Sequence, residues 1–126
     1  MIKSTIMLWS LTLSAPSAAQ TQMQMNQQAT AQLKVADASM ARQWNAVYSQ
    51  MKRLDSQNTS RGGGFGYAPT ALESQRAWLP FRDRQCEIEA GEYAGGSMAQ
   101  TVRAQCLTRL TRERTVQLGK LIWSGR

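Results

Sequence analysis

The sequence contains no histidine and only two cysteines among its 126 residues. Histidine is the commonest general base and the commonest metal ligand, so its absence removes the usual basis for both roles. Two cysteines are also too few for a structural zinc site, which usually takes four nitrogen or sulfur ligands. We therefore expect no metal site, no cofactor and no catalytic residues.

No apolar run approaches the roughly 20 residues that a transmembrane helix needs. The longest lies at the start, where Lys3 precedes a largely apolar segment over residues 5–13, followed by small residues around Ala19. This pattern is typical of a secretory signal peptide, and it predicts cleavage after Ala19. We expect residues 1–19 to be removed and residues 20–126 to form one periplasmic or secreted domain without a transmembrane span.

The formal charge is +7 at pH 7. Such a charge favours solubility and attraction to polyanions, including anionic lipids and cell-wall polymers. It does not by itself indicate nucleic-acid binding, and we expect no nucleic-acid partner. A basic but merely solvated surface remains the alternative interpretation.

Residues 22–54 lack proline and glycine, and their apolar side chains recur at steps of three, four and seven residues. That spacing predicts an amphipathic helix with a polar beginning that frays. Its apolar stripe comprises Ala29, Leu33, Ala36, Met40, Trp44, Val47, Met51 and Leu54.

Residues 57–69 contain three consecutive glycines and are predicted to be a connection. A phosphate-binding loop is the alternative, but the lysine of a P-loop is missing.

Two short motifs predict the starts of two further helices. Thr70 with Glu73, and Ser97 with Gln100, match the capping box, in which a side chain at each position bonds a free backbone amide at the helix start. The second helix is expected to run to about residue 93, with a kink at Pro80. Its connection to the third helix is short and contains a double glycine, which predicts an antiparallel hairpin.

The two cysteines lie at nearly the same level of this hairpin. Cys86 is nine residues before Gly95, and Cys106 is ten residues after Gly96. In an exported protein such a pair indicates one disulfide, although two free thiols or a two-cysteine metal site are the alternatives. The predicted fold is all-α: a small three-helix bundle whose antiparallel helical hairpin is stapled by one disulfide.

Asp83 and Glu87 are four residues apart, as two carboxylates of a glycosidase could be. Interleaved arginines at positions 76, 82 and 84 explain them more simply as surface ion pairs, so no enzyme is predicted.

Trp78 and Phe81 are either interface anchors or core residues. Glu87, Glu89 and Glu92 form a candidate acidic patch beside them.

The third predicted helix carries many cations and few acids. They are a candidate polyanion-binding ridge, or else a solvated face whose charges suit the end of a helix dipole. The cations are Arg103, Arg109, Arg112, Arg114 and Lys120.

These segments together resemble the LprI-like lysozyme-inhibitor domain, a family of small exported helical proteins. Residues 21–40 look like that family's first helix. The other similar residues are Gln75, Arg76, Ala77, Trp78, Phe81, Arg82, Asp83, Cys86, Gly95, Gly96, Ser97, Cys106, Leu110, Thr111 and Arg114. Gln28 stands where the family often has a cysteine of a further bridge, which predicts a looser N-terminal end.

The resemblance implies an envelope binding protein and, for some members, inhibition of lysozyme by protein–protein contact. Animal-type lysozymes are usually basic, so the acidic patch is the expected docking point on a chain of positive charge. The alternative function is binding of anionic envelope components through the basic helix face, without lysozyme inhibition.

Overall fold

The computed structural model describes residues 13–57 and 64–122, and this part of the chain is helical without any strand. Helix α1 spans Ala18–Gln57, α2 spans Tyr67–Gly91 and α3 spans Ala99–Gly119. The predicted all-α class is therefore confirmed. Most of the predicted signal segment and residues 58–63 of the glycine-rich connection lie outside the described residues. None of the described helices is long and apolar enough to cross a membrane.

Helix α1 buries the stripe that its sequence predicts. Ala29, Ala36, Met40, Val47 and Met51 are its buried residues. They follow one another at steps of seven, four, seven and four, which keeps them on one side of a helix with 3.6 residues per turn.

Helix α3 packs against both other helices. Its buried positions consequently lie on several sides rather than on a single stripe. They are Thr101, Cys106, Leu107, Thr108, Leu110, Thr111 and Leu118. The buried threonines are accommodated by hydrogen bonds, as where Thr108 Oγ1 donates to the Ala104 carbonyl at 2.9 Å.

The core has two parts. One is formed by Met40, Val47, Met51, Ala68 and Leu118. The other surrounds the two cysteines and includes Leu107 and Leu110. Trp78 of α2 packs against both parts and so joins them.

The predicted disulfide between Cys86 and Cys106 is confirmed, with Cα atoms 5.5 Å apart. It joins α2 to α3, and its half-cystines are 0% and 4% exposed. The bridge therefore lies inside the hairpin, where reductant has little access.

Both predicted capping boxes are wrong. Helix α2 begins at Tyr67 rather than at Thr70, and its cap is Gly66, which adopts the left-handed conformation with φ 79°. The Asp55 carboxylate of α1 accepts hydrogen bonds from the amides of Tyr67 and Ala68, at 2.6 and 2.8 Å. A tertiary contact therefore satisfies the first free amides of α2, where the sequence predicted a local side-chain cap three residues later.

Helix α3, in contrast, begins one residue later than the motif at Ser97 predicts. Met98 is its N-cap and makes no side-chain capping bond. The chain reverses direction at Gly95, whose φ of 81° is readily adopted by glycine. Helix α2 itself continues through Pro80.

The polar beginning of α1, expected to fray, is helical from Ala18 onward. Gln22 Nε2 donates to Thr101 Oγ1 of α3 at 3.0 Å. Asn26 Oδ1 also accepts a hydrogen bond from that hydroxyl. These contacts attach the first turns of α1 to the first turn of α3.

Candidate functional site

Trp78 is a core residue that also contacts charged groups. The guanidinium carbons of Arg82 and Arg114 lie 5.4 and 5.8 Å from the centroid of its ring. Both are cation–π contacts, the first within α2 and the second between α3 and α2. Of the two aromatic residues considered as interface anchors, Trp78 is thus half-buried, whereas Phe81 is 56% exposed.

Arg82 connects all three helices. Its Nη1 donates to Asp37 Oδ1 of α1 at 3.1 Å and to Thr111 Oγ1 of α3 at 3.2 Å. Its Nε donates to Asp83 Oδ1 at 3.0 Å. Since its side chain is only 14% exposed, these bonds are part of the packing rather than of a surface site.

Arg114 also serves the packing. Its Nε donates to Gln75 Oε1 at 3.0 Å, and its Nη2 donates to Ser74 Oγ at 2.9 Å. Burial lowers the pKa of this guanidinium from its ordinary value. One of the five candidate polyanion-binding cations is therefore turned toward α2.

A second member of that set, Arg109, is paired with acids. Its Nη2 donates to both carboxylate oxygens of Glu89 of α2, at 2.8 and 3.0 Å. The hydrogen bonds from Gln85 and then from Arg109 lower the pKa of Glu89, and the bond to Glu89 raises the pKa of Arg109. Glu89 thus faces α3, so it contributes little to an acidic docking patch.

The side chains of the remaining three cations are exposed, and within the described residues these side chains make no hydrogen bond or ion pair. At about 100° per residue, Lys120 lies roughly 80° around α3 from Arg112, and Arg103 lies about 180° from Arg112. The five cations therefore do not share one face.

The most exposed apolar surface of α2 is a stripe on the side away from the core. Phe81 is 56% exposed and Ile88 is 71% exposed. Arg84 lies between them with a side chain that is 77% exposed. We define the outer stripe as Ala77, Phe81, Arg84, Ile88 and Gly91, which are all exposed. Their spacing of four, three, four and three residues keeps them on one side of the helix.

Acidic residues border the outer stripe. Glu87 Oε2 accepts a hydrogen bond from Arg84 Nη1 at 2.6 Å. This bond raises the pKa of the Arg84 guanidinium. Glu92, also exposed, lies beyond the other edge of the stripe. Two of the three predicted acidic residues are thus beside the stripe.

In sequence, Arg84 was interpreted as a member of surface ion pairs, and Ile88 was assigned to no site. The alternation of four- and three-residue steps through positions 77, 81, 84, 88 and 91 was the available signal. A second apolar pattern on another side of the same helix competed with it, formed by Leu72, Leu79, Cys86, Ala90 and Tyr93. Among the described residues, no three of the metal-binding residue types are grouped closely enough to hold a metal ion.

Comparisons with known proteins place these features in a family. The family model described as lysozyme inhibitor LprI matches residues 13–118. An uncharacterized protein of Rhizobium meliloti (strain 1021) is 36% identical over 105 residues, covering 82% of this chain and 76% of the relative. No solved structure matches the chain.

Proposed function

Because the chain belongs to the LprI family of lysozyme inhibitors, we propose that it inhibits lysozyme by protein–protein contact through the outer stripe of α2. The observation that carries this proposal is the exposure of Phe81 and Ile88, which both lie on the side of α2 that faces away from the core. Large apolar side chains at the centre of a surface are common anchors of protein interfaces.

The packing of the neighbouring residues strengthens this assignment. Trp78 and Arg82 hold the three helices together, and Cys86 forms the disulfide. Phe81 belongs to the same set of residues that are similar to the family, yet most of its side chain lies in solvent. Packing within the bundle therefore explains Trp78, Arg82 and Cys86, but it does not explain a large apolar side chain at position 81. Contact with a partner explains that side chain better.

The acidic residues that border the stripe suit a basic partner better than the net charge of the chain does. Two basic proteins repel each other at long range, which slows their encounter. Glu87 and Glu92, on the two sides of the stripe, supply local negative charge against which a basic lysozyme can dock. We infer that these two glutamates form the rim of the interface, whereas Glu89 serves the pairing with α3.

Lysozyme acts on the cell wall, so an inhibitor must be outside the cytoplasm to meet it. We therefore propose that the chain is exported to the periplasm or beyond and that cleavage follows Ala19. Cleavage there would remove only the first two residues of α1. We expect no turnover of peptidoglycan by the protein itself.

The test is a titration of the exported protein, with its disulfide intact, against animal-type lysozyme and lysozymes of other classes. Wall lysis and direct binding are followed at low and moderate salt. We expect saturable inhibition that survives moderate salt, because contacts between buried apolar groups are insensitive to screening. Absence of binding to every lysozyme would contradict the proposal.

A second candidate function is binding of anionic envelope components. The exposure of the Arg112 and Lys120 side chains, without ion pairs among the described residues, favours it. Such binding is ionic and should weaken steeply with added salt. Binding to vesicles that contain anionic lipid, compared at low and moderate salt, separates the two functions.

A further inference from the structure

We infer that Arg84 enters the substrate cleft of lysozyme and binds its catalytic carboxylates. This inference rests on the proposed function and names the site on the partner. The outer stripe carries one charged residue, Arg84, and that residue lies at its middle.

The spacing of the stripe is that of a helix recognised in a groove. Phe81, Arg84 and Ile88 occupy positions i, i+3 and i+7, which are the usual anchor positions of such a helix. Ala77 and Gly91 at the two ends are small, and a Cβ at Gly91 would meet nothing within 4 Å. The helix can therefore approach the walls of a cleft closely on both sides of the anchors.

The guanidinium of Arg84 has hydrogen-bonding capacity to spare. Its Nη1 donates to Glu87, and within the described residues its Nε and Nη2 have no acceptor. A guanidinium matches the planar geometry of a carboxylate and can donate two parallel hydrogen bonds to it. The 77% exposure of the side chain leaves it free to do so.

The cleft of a lysozyme offers the complementary chemistry. Glycosidases place two carboxyl groups on either side of the scissile bond, about 5 to 9.5 Å apart. On a lysozyme whose surface is otherwise basic, this pair is a local acidic site, and a single cation flanked by apolar groups is suited to it. A guanidinium there would exclude the substrate and occupy the groups that catalyse its hydrolysis.

The other arginines of α2 are less suited to this role. Arg82 is bound to Asp37 and Asp83 and is mostly buried. Arg76 is exposed, but at about 100° per residue it lies roughly 80° around the helix from Arg84. Arg76 is accordingly a matched control for the loss of one positive charge from the same helix.

The experiment compares Arg84→Gln, Arg84→Lys and Arg76→Gln with the unchanged protein. Inhibition of animal-type lysozyme is measured, and so is competition with tri-N-acetylchitotriose, an oligosaccharide that occupies the cleft. We expect Arg84→Gln to weaken inhibition roughly tenfold or more, as for a central anchor. Arg84→Lys should lose less, Arg76→Gln should change inhibition less than about twofold, and the trisaccharide should compete with the unchanged protein.

Equal inhibition by Arg84→Gln and the unchanged protein would overturn the inference, as would simultaneous binding of inhibitor and trisaccharide. If truncation of Phe81 and Ile88 abolished inhibition while Arg84→Gln did not, this inference would fail and the proposed function would stand. If the unchanged protein inhibited no lysozyme, both would fail. Thermal unfolding of each variant checks the fold, which an exposed arginine should scarcely affect.

Discussion

The guanidinium Nη1 of Arg82 lies 3.1 Å from the Asp37 carboxylate, and this ion pair joins α2 to α1. The same nitrogen donates to Thr111 of α3, so one side chain contacts all three helices. Trp78 lies directly beside this guanidinium. The residues that hold the bundle together are thus interleaved along α2 with those that remain exposed.

Replacement of Arg82 by alanine should reduce the free energy of unfolding by about 2 kcal/mol, a typical value for loss of hydrogen bonds to charged groups. The reason is that Asp37, Asp83 and Thr111 each lose a donor. Urea unfolding of Arg82→Ala and of the exposed control Arg76→Ala measures the difference. A loss no greater than that of the control would show that Arg82 is not a structural residue.

Asp55→Ala should destabilise the start of α2 by about 1 kcal/mol, the usual cost of removing a helix cap. The amides of Tyr67 and Ala68 would lose their shared acceptor. Amide hydrogen exchange at these two residues should accelerate, whereas Ser56→Ala should leave it unchanged. Unchanged exchange in Asp55→Ala would contradict the capping contact.

Removal of the disulfide by replacing Cys86 and Cys106 with serine should cost roughly 3 kcal/mol, on the loop-entropy account. The two residues are 20 positions apart in sequence. Because both are buried, reduction of the native protein should also be slow until denaturant is added. Rapid reduction under native conditions, followed by thiol labelling, would show that the hairpin opens readily.

The Glu89 pair predicts a specific dependence of stability on pH. Its pKa is lowered in the folded protein, so its contribution is present above the unfolded pKa of about 4.3 and is lost as pH falls through the lower folded value. The difference in Tm between the unchanged protein and Glu89→Gln should therefore be constant near neutral pH. It should shrink below about pH 4, and its size should be small because the pair is exposed. A difference that persisted unchanged at pH 3 would contradict this assignment.

Much of the fold could be predicted because its signals are local. The steps of three, four and seven from Ala29 to Met51 marked the buried side of α1. The two cysteines, nine and ten residues from a double glycine, predicted the bridge across the hairpin. These signals depend only on helix geometry and on the connection between neighbouring helices.

The start of α2 could not be predicted this way because its cap comes from another helix. Thr70 with Glu73 matched a capping motif, yet Asp55, twelve residues before Tyr67, satisfies the free amides. No periodic pattern relates an aspartate at the end of one helix to amides beyond a glycine-rich connection. Local propensity was thus overridden by a tertiary contact.

The candidate site was only partly predictable for a related reason. Trp78 and Phe81 are three residues apart and looked equivalent in sequence, but the first packs between helices and the second lies in solvent. The cations of α3 looked like one ridge, but Arg109 and Arg114 reach acceptors on α2. Long side chains reach partners that a helical projection does not show.

If the outer stripe of α2 carries lysozyme inhibition, truncation of its two large apolar side chains should remove that inhibition. The double variant Phe81→Ala, Ile88→Ala is compared with Val35→Ala, Val116→Ala, whose valines are 66% and 59% exposed on the other two helices. We expect the first variant to lose inhibition roughly tenfold or more while both variants remain folded, and the control to inhibit as the unchanged protein does. Full inhibition by the folded Phe81→Ala, Ile88→Ala variant would contradict this expectation.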